Sequence, residues 1–247
     1  MSDPSADTLE RLVPDELDPG DATGLATLAL HVERYRFAAT HLCPGRVLDI
    51  ACGVGYGAEL LAERADVQVL GVDLAEHAIA YARRRNPGPR LEYRVADALA
   101  FEDAAGFDTI VSLETVEHVA DPGLLIERLG AMLRPGGCLI SSVPTTPSVD
   151  FNPHHRHDFS EREFRRLVAR RAPRLSEFAA LRQVQAVSPL RVLRRSERRM
   201  RDLRGSLPHH YLTHPGSFVR RVVATLRFGF VNRYLTVAWR MPPVVAP

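Results

Sequence analysis

Between Arg46 and Gly57 the chain reads RVLDIACGVGYG, and no other stretch narrows its possible folds so far. Val47 to Ala51 is an apolar run holding one acid, Asp49. Gly53, Gly55 and Gly57 follow at alternate positions, before a helical AELLAERA. A buried strand, a tight glycine turn and a helix start account for this order. Glycine suits the turn because the backbone must bend sharply and let a ligand approach bare main chain. The helix behind it offers unfilled N–H groups at its first turn. Gly53 to Ala58 also fits the dinucleotide fingerprint GxGxx(G/A), so the motif alone leaves an ordinary βα turn and several nucleoside sites open.

The following segments narrow the choice. A second apolar run, Val67 to Val72, ends in Asp73, 18 residues beyond Gly55. That is about the separation at which a carboxylate on the neighbouring strand reaches a ribose diol. A helix over Glu76–Arg85 and a third strand over Leu91–Val95 come next, and the strand runs into Ala96-Asp97-Ala98. Three acids at successive strand ends or turns (49, 73 and 97) beside a glycine loop favour a nucleoside site over isolated helix caps. Phe107 to Leu113 reads as a fourth strand. A helix from Asp121-Pro122 to Leu133 is stopped by Arg134-Pro135-Gly136-Gly137, and Cys138 to Val143 is a fifth strand. Ser160 with Glu163 forms a capping box for one more helix. Strands near Phe178–Val187 and Tyr234–Met241 complete an α/β chain: a Rossmann-like, seven-stranded, mostly parallel sheet flanked by helices, with a helical insertion before the last strand. Such sheets bind ligands at the carboxyl ends of their strands.

Composition bounds the rest. The 247 residues suit one domain, taken as 21–247 after a flexible leader over 1–20, with 188–231 as a basic lid or insertion. No apolar run reaches the roughly 18 residues of a membrane span, and the polar N-terminus is unlike a signal peptide; a cytoplasmic protein is expected. Cys43, Cys52 and Cys138 show neither disulfide nor zinc spacing. All 32 basic residues are arginine, which excludes any lysine Schiff base or lysine general base.

With these residues in view, the sequence resembles the class I S-adenosylmethionine-dependent methyltransferases. The matches are Asp49 to Gly57, Gly71-Val72-Asp73, Ala96-Asp97-Ala98 and Leu133-Arg134-Pro135-Gly136-Gly137. The resemblance implies S-adenosyl-L-methionine as cofactor. It sets Ala51, Gly53 and Gly55 against the methionine part, Asp73 with Leu74 at the ribose, and Asp97 with Ala98 at the adenine. Tyr35, Asp49, Tyr56 and Leu113 line the same cleft. A narrower resemblance, to bacterial methyltransferases of glycan and antibiotic-sugar pathways, rests on His31-Val32-Glu33-Arg34-Tyr35, the glycine strand, Glu114 to His118 and Asn152-Pro153-His154-His155. In that family an aromatic usually stands where this chain has His154, while His155 keeps the family position.

Methyl transfer is an in-line displacement, so the protein's work is to position the acceptor and make it nucleophilic. An alcohol needs a general base or a metal that lowers its pKa. Glu-x-x-Glu-His segments with a later His hold a divalent ion in ubiquinone-pathway O-methyltransferases, to which this segment is similar. By that resemblance Glu114, Glu117, His118 and His155 are metal ligands for Mg²⁺, Mn²⁺ or Zn²⁺. The metal-free reading makes His118 or His155 the catalytic base. A purely structural role, with Glu117 and His118 capping a helix, also stands. His154 and His157 are expected at the surface or behind the site.

Residues 191–204 carry seven arginines against Glu197 and Asp202. They suit a solvated face, a phosphate-binding lid or peripheral attachment to a membrane. The nearly balanced charge of +2 speaks against nucleic acid as a partner. The expected function is O-methylation of a sugar or sugar-bearing small molecule, with N-methylation of an aminosugar, 2′-O-methylation of an RNA end and a non-catalytic cofactor-binding subunit as alternatives. Oligomeric state is not legible.

Overall fold

A computed structural model describes residues 13–85, 88–148, 152, 154–186 and 207–244. The elements in chain order are α1 (Ala22–Thr40), β1 (Gly45–Ile50), α2 (Tyr56–Ala62), β2 (Val67–Asp73), α3 (Glu76–Arg85), β3 (Leu91–Val95) and β4 (Phe107–Ser112). Then follow α4 (Pro122–Met132), β5 (Leu133–Pro144), α5 (Glu161–Arg171), β6 (Ser176–Ala186), α6 (Leu207–Thr213), α7 (Pro215–Phe228) and β7 (Val231–Arg240). The helix starts follow local chemistry. The side chains of Asp21 and Asp121 accept backbone N–H bonds at the heads of α1 and α4, with Pro122 preset for the first turn. The Ser160–Glu163 capping box opens α5.

The sheet has seven strands in the order β3-β2-β1-β4-β5-β7-β6. The pairs from β3 to β5 are parallel, while β7 runs antiparallel to both neighbours. Consecutive residues of the central strands are buried, as a sheet covered on both faces requires. Leu48, Ile50, Val72 and Ile110 pack with Phe164 and Trp239 in one core layer; Val47, Val69, Val111 and Ile140 pack with Tyr35 and Ala38 in the other.

The Arg-Pro-Gly-Gly turn lies inside β5 rather than before it. Phe107 pairs with Leu133 but Thr109 pairs with Cys138, so the extra residues loop out where Gly136 takes φ 81°. Arg134 Nη1 holds this bulge through Asp108 at 2.7 Å. Within the expected leader, Pro14–Glu16 forms a 3-10 turn whose Asp15 carboxylate pairs with Arg85 and accepts from Tyr81 Oη. Residues 188–206 of the expected basic lid lie outside the described residues; α6, α7 and the start of β7 are in its described part. No helix among the described residues is long and apolar enough to cross a membrane.

Candidate active site

The chain leaves β1 toward β2 but leaves β4 toward β5, while β1 and β4 pair in parallel with Asp49 opposite Val111. Their carboxyl ends therefore open onto the crevice where an open α/β sheet holds its ligand. Among the described residues two non-glycine positions take left-handed φ, and both lie here. Ala51, φ 61°, follows β1, and Glu114, φ 50°, follows β4. Such conformations cost about 1–3 kcal/mol each and persist only where the surroundings impose them.

The glycine turn is shaped by its neighbours. A Cβ on Gly57 would lie 1.9 Å from the Tyr35 ring, so α1 can lay that tyrosine on the first turn of α2 only because position 57 has no side chain. The Tyr35 hydroxyl then reaches both oxygens of Asp49 at 3.2 Å and donates to them. Asp49 is fully buried. Burial pushes its carboxyl up to about 8; the Tyr35 hydrogen bond opposes this and the nearby Asp73 charge adds to it. Tyr35 itself is driven well above the usual phenol range by burial and then by the Asp49 charge. Tyr56 meets Tyr35 edge to face at 5.9 Å, and its hydroxyl lies 3.0 Å from His31 Nδ1. Burial, with help from Arg34, holds His31 well below the ordinary imidazole value.

Asp73 closes β2 and is buried. Its Oδ2 accepts from Gly53 N at 2.8 Å and its Oδ1 from Ala75 N at 2.9 Å, which ties the glycine turn to the second strand. Leu74 beside it is exposed. Beyond β3, Asp97 is exposed and accepts from Leu99 N at 2.8 Å, and Ala98 packs partly against the core. Leu113 is buried at the end of β4. The sequence-derived cofactor residues thus follow the carboxyl ends of β1 to β4, with Tyr35 reaching in from α1.

Of the four residues expected to ligate a metal, the structure gathers three. One ligand atom each from Glu117, His118 and His155 lies within 4.8 Å of the others. Glu117 is fully buried, with Oε1 3.8 Å from His118 Nε2. His118 Nδ1 lies 3.1 Å from the carbonyl of His154, which can only accept, so in the neutral ring Nδ1 carries the proton and Nε2 keeps a lone pair toward Glu117. His155 stands edge-on to His118 at 4.6 Å, with Nδ1 2.6 Å from Ser148 Oγ. Burial first, then the neighbouring His118 and His154, pulls His155 down to about 3. The backbone N–H groups of Arg156 and His157 donate to the Glu117 carbonyl at 2.8 and 3.2 Å, stitching the two histidine-bearing segments together. His157 Nε2 binds the Val119 carbonyl at 3.1 Å, behind the site.

Glu114 stands apart from this group. It accepts from Ser142 Oγ at 2.7 Å, and its Oε1 lies 3.3 Å from Arg34 Nη1. Arg34 is itself buried: Nε donates to Gln183 at 2.8 Å and the guanidinium sits 4.4 Å over the Tyr234 ring. Its Nη1 and Nη2 have no hydrogen-bond partner among the described residues. Arg34, Ser142, Ser148, Gln183 and Tyr234 were not identifiable as site residues from spacing. Only Arg34 carried a signal, the His-Val-Glu-Arg-Tyr stretch. The donor set of one carboxylate and two imidazoles fits a small divalent ion. It fits a metal-free base as well.

Residues 48–141 match the family model of the methyltransferase domain. Over those residues the chain carries a methyltransferase domain. A ubiquinone biosynthesis O-methyltransferase of Leptothrix cholodnii is 39% identical over 103 residues, covering 40% of this chain and 43% of that one. Phosphoethanolamine N-methyltransferase 1 of Arabidopsis thaliana is 36% identical over 138 residues, covering 52% of this chain and 27% of that one. The chain thus spans less than half the length of these two curated relatives. In three dimensions it is similar to the N-methyltransferase NodS from Bradyrhizobium japonicum in complex with S-adenosyl-L-homocysteine. The TM-score is 0.61 at 18% identity, over 97% of this chain and 100% of that one, a likeness of fold. The methyltransferase domain match encloses the glycine turn and Glu114 to His118. It leaves His155 and the two antiparallel strands outside.

Proposed function

We propose that the protein transfers a methyl group from S-adenosyl-L-methionine to a hydroxyl of a small molecule, a sugar or sugar-bearing compound being the acceptor its motifs suit. The observation that carries this reading is the Glu117–His118–His155 cluster, which ends β4 one strand from the glycine turn. The bare turn would face the methionine moiety, Asp73 the ribose diol, and Asp97 with Ala98 the adenine. Leu74 and Leu113 would supply apolar walls. With the cofactor's methyl group fixed there, the acceptor need only be aligned on the opposite side and relieved of its proton.

Glu117, His118 and His155 would hold a divalent cation. Such an ion, when bound, lowers the pKa of a coordinated hydroxyl. Without it, His118 Nε2 or the largely uncharged His155 would accept the acceptor's proton. Glu114, paired with Arg34, would orient rather than ligate. A second reading, N-methylation of an amine, is favoured by the N-methyltransferase relative; an amine is already nucleophilic once deprotonated.

Calorimetric titration with S-adenosyl-L-homocysteine, on metal-stripped protein and with Mg²⁺, Mn²⁺ or Zn²⁺, tests both layers. Cofactor-product binding is expected under every condition, and its complete absence would sink the methyltransferase reading. A separate metal-binding heat that Glu117→Gln removes, with turnover of a hydroxyl acceptor lost to chelator, is the metal-assisted outcome. Turnover of hydroxyls that survives chelator assigns the proton to His118 or His155. Turnover confined to amines replaces O- with N-methylation.

A further inference from the structure

In a surface helix the apolar stripe ordinarily faces the core. In α7 it faces outward. Phe218, Val219, Val222, Val223 and Leu226 recur at helical spacing and are all exposed, Leu226 by 82%, while among the described side chains of α7 the buried one is Ser217. Nor is this stripe remote from the site. β7 starts three residues after α7 ends, and its Tyr234 pairs with Pro144 at the carboxyl end of β5.

The charge around the stripe says what can cover it. From Ser188 to Val231 the sequence holds ten arginines against two acids, Glu197 and Asp202, although the whole chain has a net charge of only +2. The remainder of the chain is therefore net negative, and the described part of this stretch, 207–231, holds three arginines and no acid. A second copy docking stripe to stripe would set like charge against like. A nucleic acid would match the charge but leave the apolar row against polar phosphates. A surface that is anionic at the headgroups and apolar beneath them satisfies both features.

We propose that α7 is a membrane-docking helix that lays its outward apolar row into an anionic lipid surface and turns the carboxyl end of the sheet toward it. The inference does not depend on the methyl-transfer reading. An acceptor carried in or on such a surface would meet the site without crossing bulk water.

The test is co-sedimentation of the full chain with vesicles of phosphatidylcholine, with and without phosphatidylglycerol, at low and high salt. The Val223→Glu, Leu226→Glu double variant is run in parallel. Binding to the phosphatidylglycerol vesicles is expected, weakened by salt and lowered at least about tenfold in the variant. The lone tryptophan, Trp239, is buried in the core, so its unchanged emission certifies that the variant is folded. Equal binding to neutral vesicles, no binding, or a folded variant that binds like the unaltered protein overturns the proposal. So does self-association that the variant abolishes, which would assign the row to a second copy.

Discussion

The two halves of the sheet handle polar and apolar groups in opposite ways. In the parallel half, from β1 to the first part of β5, acidic side chains are drawn inward. Asp49 and Asp73 are buried at strand ends, each held by a donor from another element. In the antiparallel half and its insertion, apolar groups are left outward on α7 and arginines crowd the preceding sequence. The methyltransferase domain match covers residues 48–141 and so stops inside the first half. In the proposed reading the buried acids of the first half hold the cofactor, and meeting a particular acceptor or surface falls to the second half. His155 and Tyr234 belong to that second half yet reach the site at the common end of the sheet.

The comparison breaks first at Asp73. Asp73→Ala is expected to weaken S-adenosyl-L-homocysteine binding about 100-fold, because it removes charged hydrogen bonds and loosens Gly53 at once. Val223→Glu in the second half should leave that affinity within about twofold, because the side chain is exposed on α7 and is none of the expected cofactor residues. Calorimetry on both variants checks the division, and similar losses in the two would abolish it.

Gly57→Ala sharpens the role of α1. Alanine is the better helix former, but its methyl would collide with the Tyr35 ring. We expect a net loss of about 2 kcal/mol, read as a lower thermal midpoint by roughly 4–8 °C. A midpoint equal to that of the unaltered protein would show that Tyr35 is free to move off Asp49.

A further effect is expected with pH. The unfolded Asp49 carboxyl loses its proton near 3.8, but the folded one keeps it to about 8. Its native state therefore binds the proton more tightly. The group favours folding at low pH, and that contribution fades as pH rises from about 4 toward 8. Asp49→Asn should flatten this slope in cofactor-free protein, so that its thermal midpoint gains on that of the unaltered chain between pH 5 and pH 8. A parallel pair of pH profiles would mean that the acid is already ionised in the fold.

How much of this could be read in advance varies with the range of the interactions. The glycine turn, the alternating strands and helices, and the Ser160–Glu163 cap are set by residues a few positions apart, so the sequence displays them. The resemblance of Glu-x-x-Glu-His with a later His to metal-holding segments implied a four-residue ligand set, but a motif carries no backbone angle. The left-handed turn at Glu114 sends its carboxylate to Ser142 and Arg34 instead. Gln183, which holds Arg34 from 149 positions away, left no local mark. The insertion of β7 between β5 and β6 was equally invisible, since antiparallel pairing over such distance depends on the closed fold. The α7 row could be seen as apolar, but not as facing solvent.

That insertion bears on how the protein is made. Synthesis releases residues in order, at about 5–20 per second, and among the described residues β6 pairs with β7 alone, which follows it by more than forty residues. The parallel strands can assemble as they emerge, but the outer side of β5 and the whole of β6 stay open until Val231–Arg240 leaves the ribosome. For that interval the nascent chain carries exposed hydrogen-bonding edges, the form most prone to pair with a neighbouring chain.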